Sequence, residues 1–217
     1  MKTQLNTVGS NTYETLKHDI IFGQLLPGSK LKLDALKKQY AASVSTLRET
    51  LNRLASEGFV IAQEQRGFFV APVSKDDLIE IANLRILLEN HALQDSIENG
   101  DADWEGNLVA AHHKLHRMEE KLLSGDLSEK ETWKRYDWEF HQAMISACNS
   151  KALLLLHSTI FDKYVRYQMQ VLTFRGRTAA IEHKKMLEAA LARDTKLAQK
   201  YLEDHVLNGL KHSMSAF

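Results

Sequence analysis

Val44-Ser45-Thr46-Leu47-Arg48-Glu49-Thr50-Leu51-Asn52-Arg53-Leu54-Ala55-Ser56-Glu57-Gly58-Phe59-Val60 is the stretch whose reading decides the fold. Leu47, Leu51 and Leu54 recur at i, i+4 and i+7, which puts them on one face of a helix. Thr46-x-x-Glu49 has the spacing of a capping box at its start, and Gly58 is the residue type that most readily ends it. Away from the leucines, Ser45, Thr46, Arg48, Asn52 and Arg53 present hydrogen-bonding groups outward. Two strand-like runs follow, Phe59 to Ala62 and Phe68 to Ala71, joined by the polar segment Gln63 to Gly67. They predict a hairpin with Arg66 and Gly67 at its tip.

Upstream of this helix, Tyr13, Leu16, Ile20 and Ile21 form another helical face that Gly23 ends, and Pro27-Gly28 marks a turn. Asp34 is placed to cap a short helix with Leu36 and Tyr40 as its buried stripe. Helix, short helix, helix and hairpin is the order of a winged helix-turn-helix, in which the third helix enters the major groove of duplex DNA. The outward donors of that helix and of the wing then lie where phosphates and base edges would be.

Only Pro27 and Pro72 occur among the 217 residues, so residues 73 to 217 are free of proline. Helical patterns run near 75 to 98, 104 to 123, 128 to 148, 151 to 173, 178 to 192 and 195 to 212, and short breaks between them predict an antiparallel bundle. The expected fold is therefore mainly α, with a winged helix-turn-helix domain over 1–73 and an all-helical domain over 74–217. Up to Pro72 there are nine Lys and Arg against six Asp and Glu, and nineteen against twenty-two after it. The small positive excess of the first part suits nucleic acid. A single cysteine, Cys148, excludes an internal disulfide, and no signal-peptide core or membrane-length apolar run is present. A cytoplasmic protein is expected.

The run from Val44 to Val60 with Arg66-Gly67-Phe68-Phe69-Val70 resembles the DNA-binding domain of GntR-family transcription regulators. Arg85-x-x-Leu88-Glu89, Asp137-x-x-Phe140-His141, Glu182-His183 and Asp204-His205 resemble the effector domain of its FCD subgroup, so the resemblance spans residues 12 to 210. It implies a homodimeric regulator that binds double-stranded operator DNA and responds to a small organic acid. One departure is that Val44 follows Ser43 where the subgroup usually has arginine, leaving Arg48 as the main base-contact candidate.

Asp137 and His141, at i and i+4, share a helix face and can hold one cation together. His183 and His205 lie in two further helices, and the family pattern joins all four into one site. Three imidazoles and a carboxylate suit a divalent transition metal, with zinc foremost and nickel, manganese or iron also compatible. His112-His113-x-x-His116 has the same local spacing but is flanked by Lys114 and Arg117, and is expected to be a solvated helix face. Arg85 and Arg166 are candidates to hold an effector carboxylate in a fork, with an internal pair to Glu89 as the other reading of Arg85. A regulator that senses the cation itself, or a metal-dependent hydrolase, would use the same ligands. No nucleophile set or phosphate loop accompanies them to favour catalysis.

Overall fold

The computed structural model describes residues 8–126, 128–171 and 175–215. Two compact units are present, one ending at Ser74 and the other beginning at Lys75. The first contains α1 (Val8–Ile21), β1 (Lys30–Leu31), α2 (Leu33–Gln39), α3 (Val44–Ser56), β2 (Val60–Gln63) and β3 (Gly67–Val70). Its antiparallel sheet has the order β1-β3-β2, with Val60 opposite Val70 and Gln63 opposite Gly67. Leu16, Ile20, Leu47, Leu51, Leu54, Phe59 and Val70 are wholly buried and make the core. Each such aliphatic side chain contributes about 1.5–3 kcal/mol of burial.

Two helix starts differ from the sequence reading. Ser43 caps α3, its hydroxyl accepting from the Thr46 N–H at 3.1 Å, so Thr46 lies inside the first turn. The Thr46-x-x-Glu49 box is displaced because Ser43 offers the same cap-to-third-residue bond three residues earlier. In α2 the cap position is Lys32, without a side-chain bond, and Asp34 sits in the first turn, where its charge meets the helix dipole. Gly58 does end α3. At φ 81° it lets its own N–H reach Ala55 O and the Phe59 N–H reach Leu54 O, the paired bonds of a Schellman ending.

The second unit is a bundle of α4 (Lys75–Asn99), α5 (Ala102–Leu123), α6 (Lys130–Ile145), α7 (Lys151–Val171), α8 (Arg177–Leu191) and α9 (Thr195–Met214). Asp101 and Asp194 cap α5 and α9 through the N–H groups of Trp104 and Leu197. Helix α4 packs on α9, α7 and α6, while α5 packs on α6 and α8. Tyr167 donates to Asp77, Arg85 lies over Phe161 and Tyr164, and His157 meets Glu89, so α4 and α7 run antiparallel. A Cβ at Gly209 would stand 2.6 Å from the Tyr164 hydroxyl, so glycine is what lets α9 approach α7. No helix among the described residues is long and apolar enough to cross a membrane.

Candidate metal centre and DNA-facing surface

On α3, Ser45, Arg48, Asn52 and Arg53 are exposed and Thr46 is partly so; Arg66 and Gly67 are exposed on the wing. Their roles separate at this point. The Ser45 and Thr46 hydroxyls lie 2.8 and 2.9 Å from Ser43 Oγ and belong to the cap. The Arg53 guanidinium stacks 3.6 Å over the Tyr13 ring and its Nε is 3.4 Å from Glu57, which ties it to the domain. Tyr13 donates to Glu57 at 2.7 Å, and burial with that bond pushes its pKa up to about 12. Arg48 and Asn52 make no hydrogen bond or ion pair with any described residue, so their donors are available outward. Arg66 lies 6.0 Å from the Phe69 ring centroid.

In the bundle, Asp137, His141, His183 and His205 are all buried, and one ligand atom from each lies within 4.8 Å of the others. Helices α6, α8 and α9 bring them together. Each imidazole is oriented by a carboxylate behind it. His183 Nδ1 is 2.6 Å from Glu119 Oε1, His205 Nδ1 is 2.8 Å from Glu182 Oε2, and His141 Nδ1 is 3.3 Å from Glu89 Oε2. At His183, where Nδ1 meets only Glu119, this contact favours the tautomer that leaves Nε2 for a metal, whereas Arg175 also reaches Nδ1 of His205 and Arg85 lies 3.1 and 3.2 Å from the two ring nitrogens of His141. His183 Nε2 is buried with no hydrogen-bond partner among the described residues, 3.2 Å from Asp137 Oδ1. That orphaned atom and the donor set fit a divalent transition metal.

The electrostatics give the same picture. Burial alone would lower the pKa of His183, but Asp137 and Glu119 outweigh it and raise it to about 9. The two carboxylates thus favour a positive charge at His183, the kind of site a bound cation would also satisfy. Burial, with His183 and Arg175 nearby, pushes His205 well below its ordinary value, and burial also lowers His141 despite Glu89. Burial would raise Asp137, yet Lys134 and then His183 hold it well below the usual carboxylate range.

Arg85 is 1% exposed and bonds Glu89 through Nε at 2.9 Å, with Nη2 3.1 Å from His141 Nδ1. Glu89 also receives His157 at 2.5 Å. Arg85 thus stands beside the metal ligands but is already committed to a carboxylate of its own. Arg166 lies two residues from Tyr164, on the far side of α7, where burial lowers its pKa and Tyr167 and Asp77 oppose that. The structure does not bring it to the cluster. Two other cations do approach it. Lys134 Nζ is 3.1 Å from Asp137 Oδ2 and 2.7 Å from Gln168 Oε1, while Arg175 is 2.9 Å from Glu182 and 3.1 Å from His205 Nδ1. Both line a cleft with Lys130, Gln168, His212 and Ser213.

The bacterial regulatory protein gntR family profile matches residues 9–70, and the FCD domain profile matches residues 80–208. The chain belongs to the GntR family. This GntR regulator is 35% identical over 197 residues to the uncharacterized HTH-type transcriptional regulator BphR of Paraburkholderia xenovorans, covering 90% of this chain and 80% of that protein. It is 32% identical over 205 residues to the HTH-type transcriptional repressor GlaR of Escherichia coli, covering 90% of each. Its fold matches Escherichia coli McbR/YncC with a TM-score of 0.83 at 22% identity, over 97% of this chain and 99% of that one. These relatives are transcription regulators rather than enzymes, and the chain is a DNA-binding regulator of the GntR/FCD kind.

Several residues of this GntR regulator escaped the sequence reading. Lys30, Lys32 and Lys38 border a groove with Arg48 and Gly67, a cationic rim hidden in sequence because β1 has only two residues. Glu89, Glu119 and Glu182 were not assigned as orienting groups, nor Arg175 and Lys134 as cations of the site. His112, expected on a solvated face, turns its ring to 5.5 Å from Phe140, and burial lowers its pKa to about 4. At the wing, Arg66→Ala should weaken binding to all duplexes alike. In a salt titration, the logarithmic slope should fall by about one per lost phosphate contact.

Proposed function

We propose that operator binding by this chain is controlled by a small organic acid that binds next to a transition metal held by Asp137, His141, His183 and His205. The observation that supports this reading most is the pairing of a carboxylate-backed histidine cluster with a cleft carrying Lys134 and Arg175 at its edge. A metal bound there would supply a Lewis acid for an anionic oxygen. Arg175 offers a planar fork to a carboxylate at the price of loosening its bond to Glu182, and Lys134 offers a point charge. Arg85 and Glu89 hold His141 in place, and an effector carboxylate would reach Arg85 only by displacing Glu89.

The regulator acts as a homodimer in this reading, since two-fold symmetry matches a palindromic operator. Leu87 on α4 and Leu155 on α7 are 66% and 73% exposed, with Leu84 one turn from the first and Leu156 next to the second, exposed apolar groups that a second copy could cover. Arg175→Met tests the effector assignment. Metal content and operator affinity should stay within about twofold of wild type. The apparent affinity for succinate or lactate, read from release of operator, should fall at least tenfold, as expected for about 1.4 kcal/mol or more from a charge-assisted pair. An unchanged response would remove Arg175 from the site.

A further inference from the structure

The cleft beside the metal cluster holds donors that the protein itself does not use up. None of the four metal ligands lines it, but Lys134 and Arg175 line it and touch the cluster, Lys134 at Asp137 and Arg175 at His205, each 3.1 Å away. The cleft therefore extends the site. Lys130, Lys134, Asp137 and His141 share one face of α6, and His205, Gly209 and Ser213 share one face of α9. At the helical rise, Lys130 stands about 10 Å before Asp137 and Ser213 about 12 Å beyond His205, so both faces lead from the metal ligands to the same cleft. Ser213 is 1% exposed, and its Oγ is buried with no hydrogen-bond partner among the described residues. A buried hydroxyl left unpaired is unfavourable, so the position favours a partner brought by a ligand. Gln168 gives its Oε1 to Lys134, which leaves Nε2 as a donor, and Gly209 keeps that nitrogen clear, since a Cβ there would stand 3.3 Å from it. Lys134 uses two of its three protons on Asp137 and Gln168. No carboxylate among the described residues lines the cleft, and Trp133, Met169 and Ala179 give it an apolar wall. Its volume of about 30 Å³ is room for roughly two water-sized groups, the size of a carboxylate, and not for a ring.

We propose that this cleft takes the second carboxylate of a short dicarboxylic acid, with Ser213 Oγ, Gln168 Nε2 and Lys134 as its donors, so that Ser213 determines which acids bind. The inference rests on the reading above, in which the first carboxylate meets the metal and Arg175. The apolar wall covers the methylene groups between the two ends. A monocarboxylate of the same length would bring a methyl group to the donors and leave them unpaired. A site built to hydrogen-bond a polar group rejects the analogue that lacks it, and hydrogen bonds to a charged acceptor are the stronger kind.

Isothermal titration calorimetry of the metal-loaded full-length protein with succinate and with butyrate, its monocarboxylate counterpart of equal chain length, tests this. Wild type should bind succinate at least about tenfold more tightly than butyrate. Ser213→Ala should weaken succinate about fivefold or more and leave butyrate within about twofold, as expected for the loss of one hydrogen bond to a charged group. Its melting temperature without acid should not fall, because the hydroxyl removed has no partner among the described residues, whereas a purely structural serine would lower it. Equal affinities for the two acids in wild type, or an unchanged preference in Ser213→Ala, overturns the proposal and leaves the metal reading standing. Binding of neither acid overturns both. Succinate that binds metal-stripped wild type as tightly as the loaded protein, yet is weakened by Ser213→Ala, would keep the cleft subsite and remove the metal from the reading.

Discussion

His183→Ala is expected to leave the purified protein with almost none of the roughly one transition-metal ion per chain that wild type should carry. The substitution removes the imidazole that faces Asp137 at 3.2 Å, leaving that carboxylate only Lys134, and takes from the buried Glu119 its 2.6 Å partner. Breaking a buried charged pair costs about 3–5 kcal/mol, so the melting temperature should fall as well. Elemental analysis and a thermal melt read the two effects separately, and full metal occupancy in the variant would show that His183 is not a ligand.

The metal-free wild-type protein should show the same residue through its pH dependence. The folded pKa of His183, about 9, lies above its ordinary 6.5, so its contribution is complete below pH 6.5 and is lost as pH rises toward 9. The expected loss is roughly 3 kcal/mol. His141 and His205 are shifted the other way, so their neutral forms favour the fold above about pH 6.5 and stability declines as pH drops below it. A stability maximum near pH 6.5 follows for the metal-free protein. Metal in place of the His183 proton should flatten the alkaline limb, and a melting temperature that falls equally with and without metal between pH 6.5 and 9 would contradict this.

Arg48→Ala should abolish sequence-specific binding while leaving the fold intact. The side chain is exposed on α3, makes no intramolecular bond to a described residue, and borders the groove with Lys30, Lys32 and Lys38. A base-reading arginine is worth about 1–3 kcal/mol, and a dimer loses it twice. Specific affinity should therefore drop by about 30-fold or more, with an unchanged melting temperature and little change on nonspecific DNA. Equal operator affinity for the variant would assign base reading elsewhere on the domain.

What the sequence made legible was what local spacing encodes. Leu47, Leu51 and Leu54 declare their helix face, Gly58 its end, and Asp137 with His141 a shared side of α6. Ser43 was harder to read as the cap because Thr46-x-x-Glu49 satisfies the same pattern, and the choice between them is made by which side chain reaches which N–H. The carboxylates behind the histidines were out of reach for a different reason. Glu119 and His183 are 64 residues apart, and Glu182, the neighbour of His183 in sequence, serves His205 instead. Arg175 read as part of a break, Arg175-Gly176-Arg177, although that position at the start of α8 delivers it to the cluster. For Arg85 the i, i+4 relation to Glu89 was visible, but not the burial that turns it into a fixed pair.

In the proposed mechanism the metal and the organic acid act together on operator binding. Fluorescence anisotropy of a labelled operator, identified by selection from random duplexes, checks this with metal-loaded and metal-stripped protein, each titrated with lactate and with succinate. At least one acid should change the affinity of the metal-loaded protein tenfold or more and have no effect on the stripped protein, while metal alone should shift affinity far less. A response to metal alone as large as that to metal with acid, or an acid response that survives stripping, would contradict it.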